Sequence, residues 1–180
     1  MPPRKPYAAV LTPLCVAAAL LASAWGMAHA NSRMEVEQAT MAAMIYNFGR
    51  FTAWPDSRFS SPNDPVVLCV APNSPLAGAL EALSGKPVGS RTLLVRATTH
   101  IDGSCQMAFL ADQDARPGYV SALKDEGVLT IGAGAGFARS GAIEFVTIGR
   151  QIRFEINQKN ALAAGAHLSS NLLRLAVTVY

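Results

Sequence analysis

The chain has 180 residues, 51% of them hydrophobic, with 15 basic and 12 acidic side chains. Two of the basic residues, Arg4 and Lys5, fall in an N-terminal leader, and without them 13 cations face 12 anions, a net of +1 that lends no support to nucleic-acid binding. Roughly 150 residues follow the leader, a usual size for one domain with one core, and none of its segments is long and apolar enough to span a bilayer.

Residues 1–30 read as a secretory signal peptide. Arg4 and Lys5 give the positive start, Ala8 to Ala24 is almost wholly apolar, and Ala28-His29-Ala30 puts small residues where a signal peptidase reads. Thr12 and Pro13 interrupt the apolar run, which argues against a retained anchor. Cys15 follows bulky Leu14 within that run, a poor setting for lipidation. The expected product is residues 31–180, exported to the periplasm after cleavage behind Ala30 and not embedded in the membrane. Cys69 and Cys105 are its two cysteines, an even number in an oxidising compartment. Each lies in or beside a strand-like run, so a disulfide is favoured over two buried thiols.

Residues 34–51 are predicted as a helix, with Val36, Ala39, Ala43, Met44, Tyr46 and Phe48 at mostly helical spacings and Glu35 and Glu37 in its first turn. Trp54-Pro55 follows, and a polar loop over 57–65 leads to a strand at 66–71. A short helix over 76–83, a turn at 85–89 and strands at 91–98 and 105–111 come next. A helix over 119–126 stops at Gly127, and 128–131 is a short apolar strand of the buried kind. Strands at 142–148 and 151–157, separated by Gly149-Arg150, make a tight hairpin. Helices over 160–164 and 169–179 close the chain, the second with Leu172, Leu173 and Ala176 toward the core. Strands alternating with helices predict a single α/β domain: a mainly parallel sheet flanked by helices, with a C-terminal antiparallel hairpin.

Chemistry is sparse. Gly132-Ala-Gly-Ala-Gly136 is spaced as neither a dinucleotide fingerprint nor a Walker A loop and reads as a flexible turn. His100 and His167 are isolated, no hydrolase or metalloprotease motif is present, and Cys69 and Cys105 are not a CxxC pair. No cofactor, metal or catalytic residue is expected, and the chain is not read as an enzyme. The strand from Ile152 to Asn157 instead alternates apolar Ile152, Phe154 and Ile156 with Arg153, Glu155 and Asn157. That polar row is either a solvated face or a recognition surface on which Arg153 meets a carboxylate or phosphate. Trp54, beside a proline at a helix end, is a further candidate interface residue.

Two segments carry a family likeness. Ala43, Tyr46-Asn47-Phe48, Arg50-Phe51 and Trp54-Pro55 form the first; Arg153-Phe-Glu-Ile-Asn157, Ala161, Gly165 and Leu168-Ser169-Ser170 with Leu172-Leu173 and Leu175-Ala176 form the second. With looser matches at Leu68-Cys69-Val70, Cys105, Phe109, Leu129-Thr130-Ile131 and Gly141-Ala-Ile143, the chain resembles the YfiR family of periplasmic proteins. The resemblance implies an α/β domain, a Cys69–Cys105 disulfide, and restraint of a membrane-anchored diguanylate cyclase, or a similar sensor, through that partner's periplasmic domain. Homodimers are compatible with it. Ala166 stands where the family usually has leucine, and no second cysteine pair follows Leu129, so redox control through such a pair does not carry over. The alternative function is a periplasmic small-ligand binding module feeding a sensor or transporter. Exported protein is expected to begin at Asn31; N-terminal sequencing that finds Met1, or a lipid on Cys15, would refute the leader assignment.

Overall fold

The computed structural model describes residues 33–180; the leader and its cleavage point lie outside them. Helix α1 covers residues 33–50, and Glu37–Tyr180 forms one compact unit. Its buried side is Ala42, Ile45 and Phe48, with Met41 and Met44 packed beside it. This corrects the stripe expected from sequence: Val36 is 67% exposed, and Ala39 and Ala43 face outward. At about 100° per residue, positions 36, 39 and 43 centre on a face well away from that of 42, 45 and 48, and the larger Ile45 and Phe48 take the core.

The chain continues through β1 (Thr52–Ala53), a 3-10 turn (Asp56–Arg58), β2 (Val66–Val70), α2 (Ala77–Glu81), β3 (Pro87–Val88) and β4 (Arg91–Ala97). Then follow β5 (Met107–Leu110), α3 (Pro117–Asp125), β6 (Leu129–Gly132), β7 (Ile143–Ile148) and β8 (Gln151–Ile156). The last elements are α4 (Gln158–Ala163), β9 (His167–Leu168) and α5 (Ser170–Leu175). Seven strands form one sheet in the order β3-β4-β2-β5-β6-β7-β8, parallel from β4 through β7, with antiparallel β3 and β8 at the edges. The mainly parallel sheet, the flanking helices and the terminal hairpin are those expected. β2, β5 and β6 are buried at every position, as central strands covered on both faces must be.

The core has two parts, one on each face of the sheet. On one, α1, α2, α4 and α5 bring Ile45, Leu80, Ala161 and Leu172 against Leu68, Met107, Ile131 and Ile156. Phe48 is central there, its ring 4.9 Å from that of Phe154 and 5.7 Å from that of Phe145. On the other, Val120 and Leu123 of α3 pack with Val67, Ala108, Leu110 and Phe137. The Cys69–Cys105 disulfide lies within this second cluster, joining β2 to the segment entering β5 with Cα atoms 5.9 Å apart.

Three features depart from expectation. β1 and β9 form a two-stranded antiparallel pair, where the sequence suggested only connections. β3 occupies the expected turn at 85–89. Most consequentially, α5 ends at Leu175 rather than reaching Val179. Val177, Thr178 and Val179 are β-branched and poor helix formers, and the edge of β8 offers them an extended partner. The tail runs parallel to β8, with the Val177 amide donating to Phe154 (2.9 Å), the Ile156 amide to Thr178 (2.9 Å) and the Tyr180 amide to Ile156 (2.9 Å).

Arg58 holds the loop before β2 to the far side of the domain. Its guanidinium donates to the carbonyls of Glu126 (3.1 Å), Gly103 (3.1 Å) and Cys105 (3.2 Å), closing the C-terminal end of α3 with a cation as the helix dipole favours. Because both cysteines are buried, reducing agent should act on them slowly while the domain is folded. Non-reducing peptide mapping should recover the linked pair, and loss of the 36-residue link should cost about 4 kcal/mol on the chain-entropy model. Rapid thiol labelling of native oxidised protein would contradict this.

Candidate functional site

The alternating row on β8 leads to an edge rather than to a central strand. Its side chains are set by the hairpin: Gly149, at φ +62°, and Arg150 form the two-residue turn, and the register aligns Arg153 with Val146 and Glu155 with Glu144. The three polar residues then have different fates. The Arg153 side chain makes no ion pair or hydrogen bond among the described residues, and it does not pair with Glu155. Glu155 instead receives the hydroxyls of Thr178 (3.2 Å) and Tyr180 (2.7 Å), which fastens the tail. The bond from Tyr180 favours the protonated phenol and raises its pKa. Asn157 caps α4, its Oδ1 accepting from the Asn160 amide (2.9 Å) while its Nδ2 donates to Ala138 (2.8 Å).

The row is also divided between two concavities. Glu155 and Asn157, with Arg139, Glu144 and Tyr180, line a polar cavity of about 620 Å³. Arg153 borders a separate, mainly apolar groove of about 390 Å³ between α1, β8 and α5. Trp54 is in neither. Its ring is half-buried against the core, and its Nε1 is buried without a hydrogen-bond partner.

The glycine-rich loop after β6 is held from within. Glu144, on β7 and only 5% exposed, accepts the amides of Gly136 and Ala138, each at 2.8 Å. Backbone amides in such a loop make an anion cradle, and here the chain's own carboxyl group fills it. Phe137 lies between Gly132 and Gly141, where a Cβ on either glycine would overlap its ring. The loop that its composition marks as a flexible turn is thus tied to β7 at Gly136 and Ala138. The one sequence signal was an acid, Glu144, inside the apolar run Ala142-Ile-Glu-Phe-Val146.

His100 pairs loosely with Asp102 (3.6 Å) on the surface, and His167 is exposed on β9. Among the described residues no three His, Cys, Asp or Glu side chains come together to hold a metal ion, and no helix is long and apolar enough to cross a membrane. Asp102 titrates below its usual value because Ser104 donates hydrogen bonds to it, a feature of a local turn.

Replacing Glu144 by Gln leaves one of the two loop amides facing an NH2 group. We expect a loss of about 1–3 kcal/mol in urea unfolding, the range for a buried donor left unpaired. A change below about 0.5 kcal/mol, the usual level for surface substitutions, would show that the cradle does not hold the loop.

No curated protein matches the chain closely enough to count as a relative. The model of the YfiR/HmsC-like family matches residues 38–177, from the first turns of α1 to the start of the tail. The chain belongs to the YfiR/HmsC-like family.

Proposed function

We infer that this protein is a non-enzymatic periplasmic regulator that binds the extracytoplasmic sensor domain of an inner-membrane signalling enzyme and restrains its cyclic-di-GMP synthesis. Family membership carries this reading, since it supports a periplasmic regulator of diguanylate cyclase in general terms. The buried disulfide accords with an oxidising compartment. Arg153 is the residue assigned to direct contact, because its guanidinium has no partner within the domain to give up and its planar fork suits a carboxylate. Glu155, Asn157 and Trp54 belong to the same proposed surface in a supporting part. Glu155 and Asn157 fix the tail and α4 around the edge strand, and Trp54 packs against the core.

The small-ligand alternative has one observation behind it, the cavity of about 620 Å³ lined by Arg139, Glu155 and Tyr180. Its size is that of a ligand site, but such sites are mostly apolar with a few polar groups, and this lining is rich in charge. The regulatory reading therefore stands first.

Deleting the protein should raise cyclic-di-GMP made by a co-encoded membrane diguanylate cyclase, and Arg153→Ala should partly reproduce the deletion. Losing one charge-assisted contact should weaken partner binding by about 1–3 kcal/mol, while stability changes by no more than about 0.5 kcal/mol. Cyclic-di-GMP and thermal melts are to be measured on the same variant. Normal signalling by a folded Arg153→Ala protein removes Arg153 from the site; unchanged cyclic-di-GMP on full deletion refutes the regulatory reading and moves the ligand-binding one ahead.

A further inference from the structure

The edge of β8 is only half covered. The two-residue turn makes Ile148 and Gln151 the closing hydrogen-bonded pair, so Gln151, Arg153 and Glu155 exchange bonds with β7. Ile152, Phe154 and Ile156 therefore turn their backbone groups away from the sheet. The tail takes the Phe154 carbonyl and both groups of Ile156. The amide and carbonyl of Ile152 and the amide of Phe154 have no hydrogen-bond partner among the described residues.

An uncovered edge of this kind is a template for another strand, and proteins usually block it with charge, proline or a bulge. Here the exposed charges of the strand and its turn, Arg150 and Arg153, are both cations, and apolar side chains stand beside them. Ile148 at the hairpin tip is 52% exposed and Leu175 at the end of α5 is 58% exposed. Beside the open stretch lies the groove bordered by Met44, Phe51, Leu172 and Leu175. Two guanidiniums, Arg50 and Arg153, line it, and no carboxyl group does.

We propose that the open edge of β8 at Ile152–Phe154 and the arginine-rimmed groove beside it form one docking site for an extended segment of the partner protein, which adds as a strand and carries an apolar anchor and a carboxylate. The backbone groups of Ile152 and Phe154 supply the strand pairing, the groove takes the apolar side chain, and Arg50 and Arg153 take the acid. The open amides favour a strand over a helix, which has no use for them. This inference rests on the regulatory reading and adds the partner's chemistry to it.

The test is amide hydrogen exchange on mature protein, alone and with the purified periplasmic domain of the co-encoded membrane diguanylate cyclase. Exchange at Ile152 and Phe154 should slow at least tenfold on binding. Ile152→Pro removes an amide that β7 does not use and should weaken binding about tenfold or more; Arg153→Glu should weaken it about 10–100-fold. Thermal melts confirm that each variant folds, and either folded variant suffices. Binding that leaves exchange at Ile152 and Phe154 unchanged overturns the inference and leaves the regulatory reading intact. So does concentration-dependent protection without the partner, which would assign the edge to a second copy of this chain. If the domain does not bind although deletion raises cyclic-di-GMP, the inference alone fails. If deletion also changes nothing, both fail together.

Discussion

The arrangement around the candidate surface depends on the pairing of β8. Along its inner side β8 is bonded to β7 in the register set by the Gly149-Arg150 turn. A shift by one residue would carry Phe154 and Ile156 to the opposite face and put Arg153 and Glu155 into the helical side of the core. The contact of Phe48 with Phe154 and Phe145 fixes that register from α1, so the first helix and the last hairpin determine each other. Once it is fixed, Asn157 falls where α4 begins and caps it, and Ile156 is presented to the tail.

A second constraint acts at the other end of the hairpin. Placing Glu144 in an otherwise apolar strand would be costly unless its oxygens were satisfied, and the amides of Gly136 and Ala138 satisfy both. Gly136, at φ +81°, allows the loop to fold back far enough for this. What looks in sequence like a phosphate loop is thus an internal clasp between β6 and β7, with the amides of Gly136 and Ala138 already occupied. Asn157 and Asn160 extend it, donating to the carbonyls of Ala138 and Gly141. Of the alternating polar row on β8, Glu155 and Asn157 consequently close the domain on itself, and Arg153 does not.

Central strands were legible because their residues leave little choice. Val66-Val-Leu-Cys-Val70 and Leu129-Thr-Ile131 are short apolar runs that only a covered sheet accommodates, and the period of two in β8 with its two-residue turn defines a hairpin. The buried face of α1 was misread because apolar residues, Met34, Met41, Ala43 and Met44 among them, occur on every side of the helix, so spacing alone singled out Phe48 but not Ala42 and Ile45. The end of α5 was missed because Leu172-Leu173 and Ala176 continue a helical pattern past Leu175, while the β-branched Val177-Thr-Val179 act only where an edge strand is available to receive them. Arg58 and Glu144 act on groups distant in sequence or on backbone amides, and a one-dimensional pattern carries little trace of either. The polar row was legible as a row, but its division between a tail anchor, a helix cap and one unpaired cation needed the third dimension.

That division bears on how a small domain can present a recognition surface. A recognition surface gains most from groups that are rigidly held yet unsatisfied, because they contribute new bonds without first breaking old ones. Glu155 and Asn157 would have to give up internal bonds to meet a partner, and doing so would release the tail and uncap α4. Arg153 and the outward backbone groups of Ile152 carry no such cost, since β7 already holds them in place from behind. The tail sharpens the difference, because it covers Ile156 and stops short of Ile152. The same strand therefore has one half bonded to the tail and another whose outward amides at Ile152 and Phe154 are unpaired among the described residues. The disulfide is buried in the cluster on the other face of the sheet from the groove beside β8.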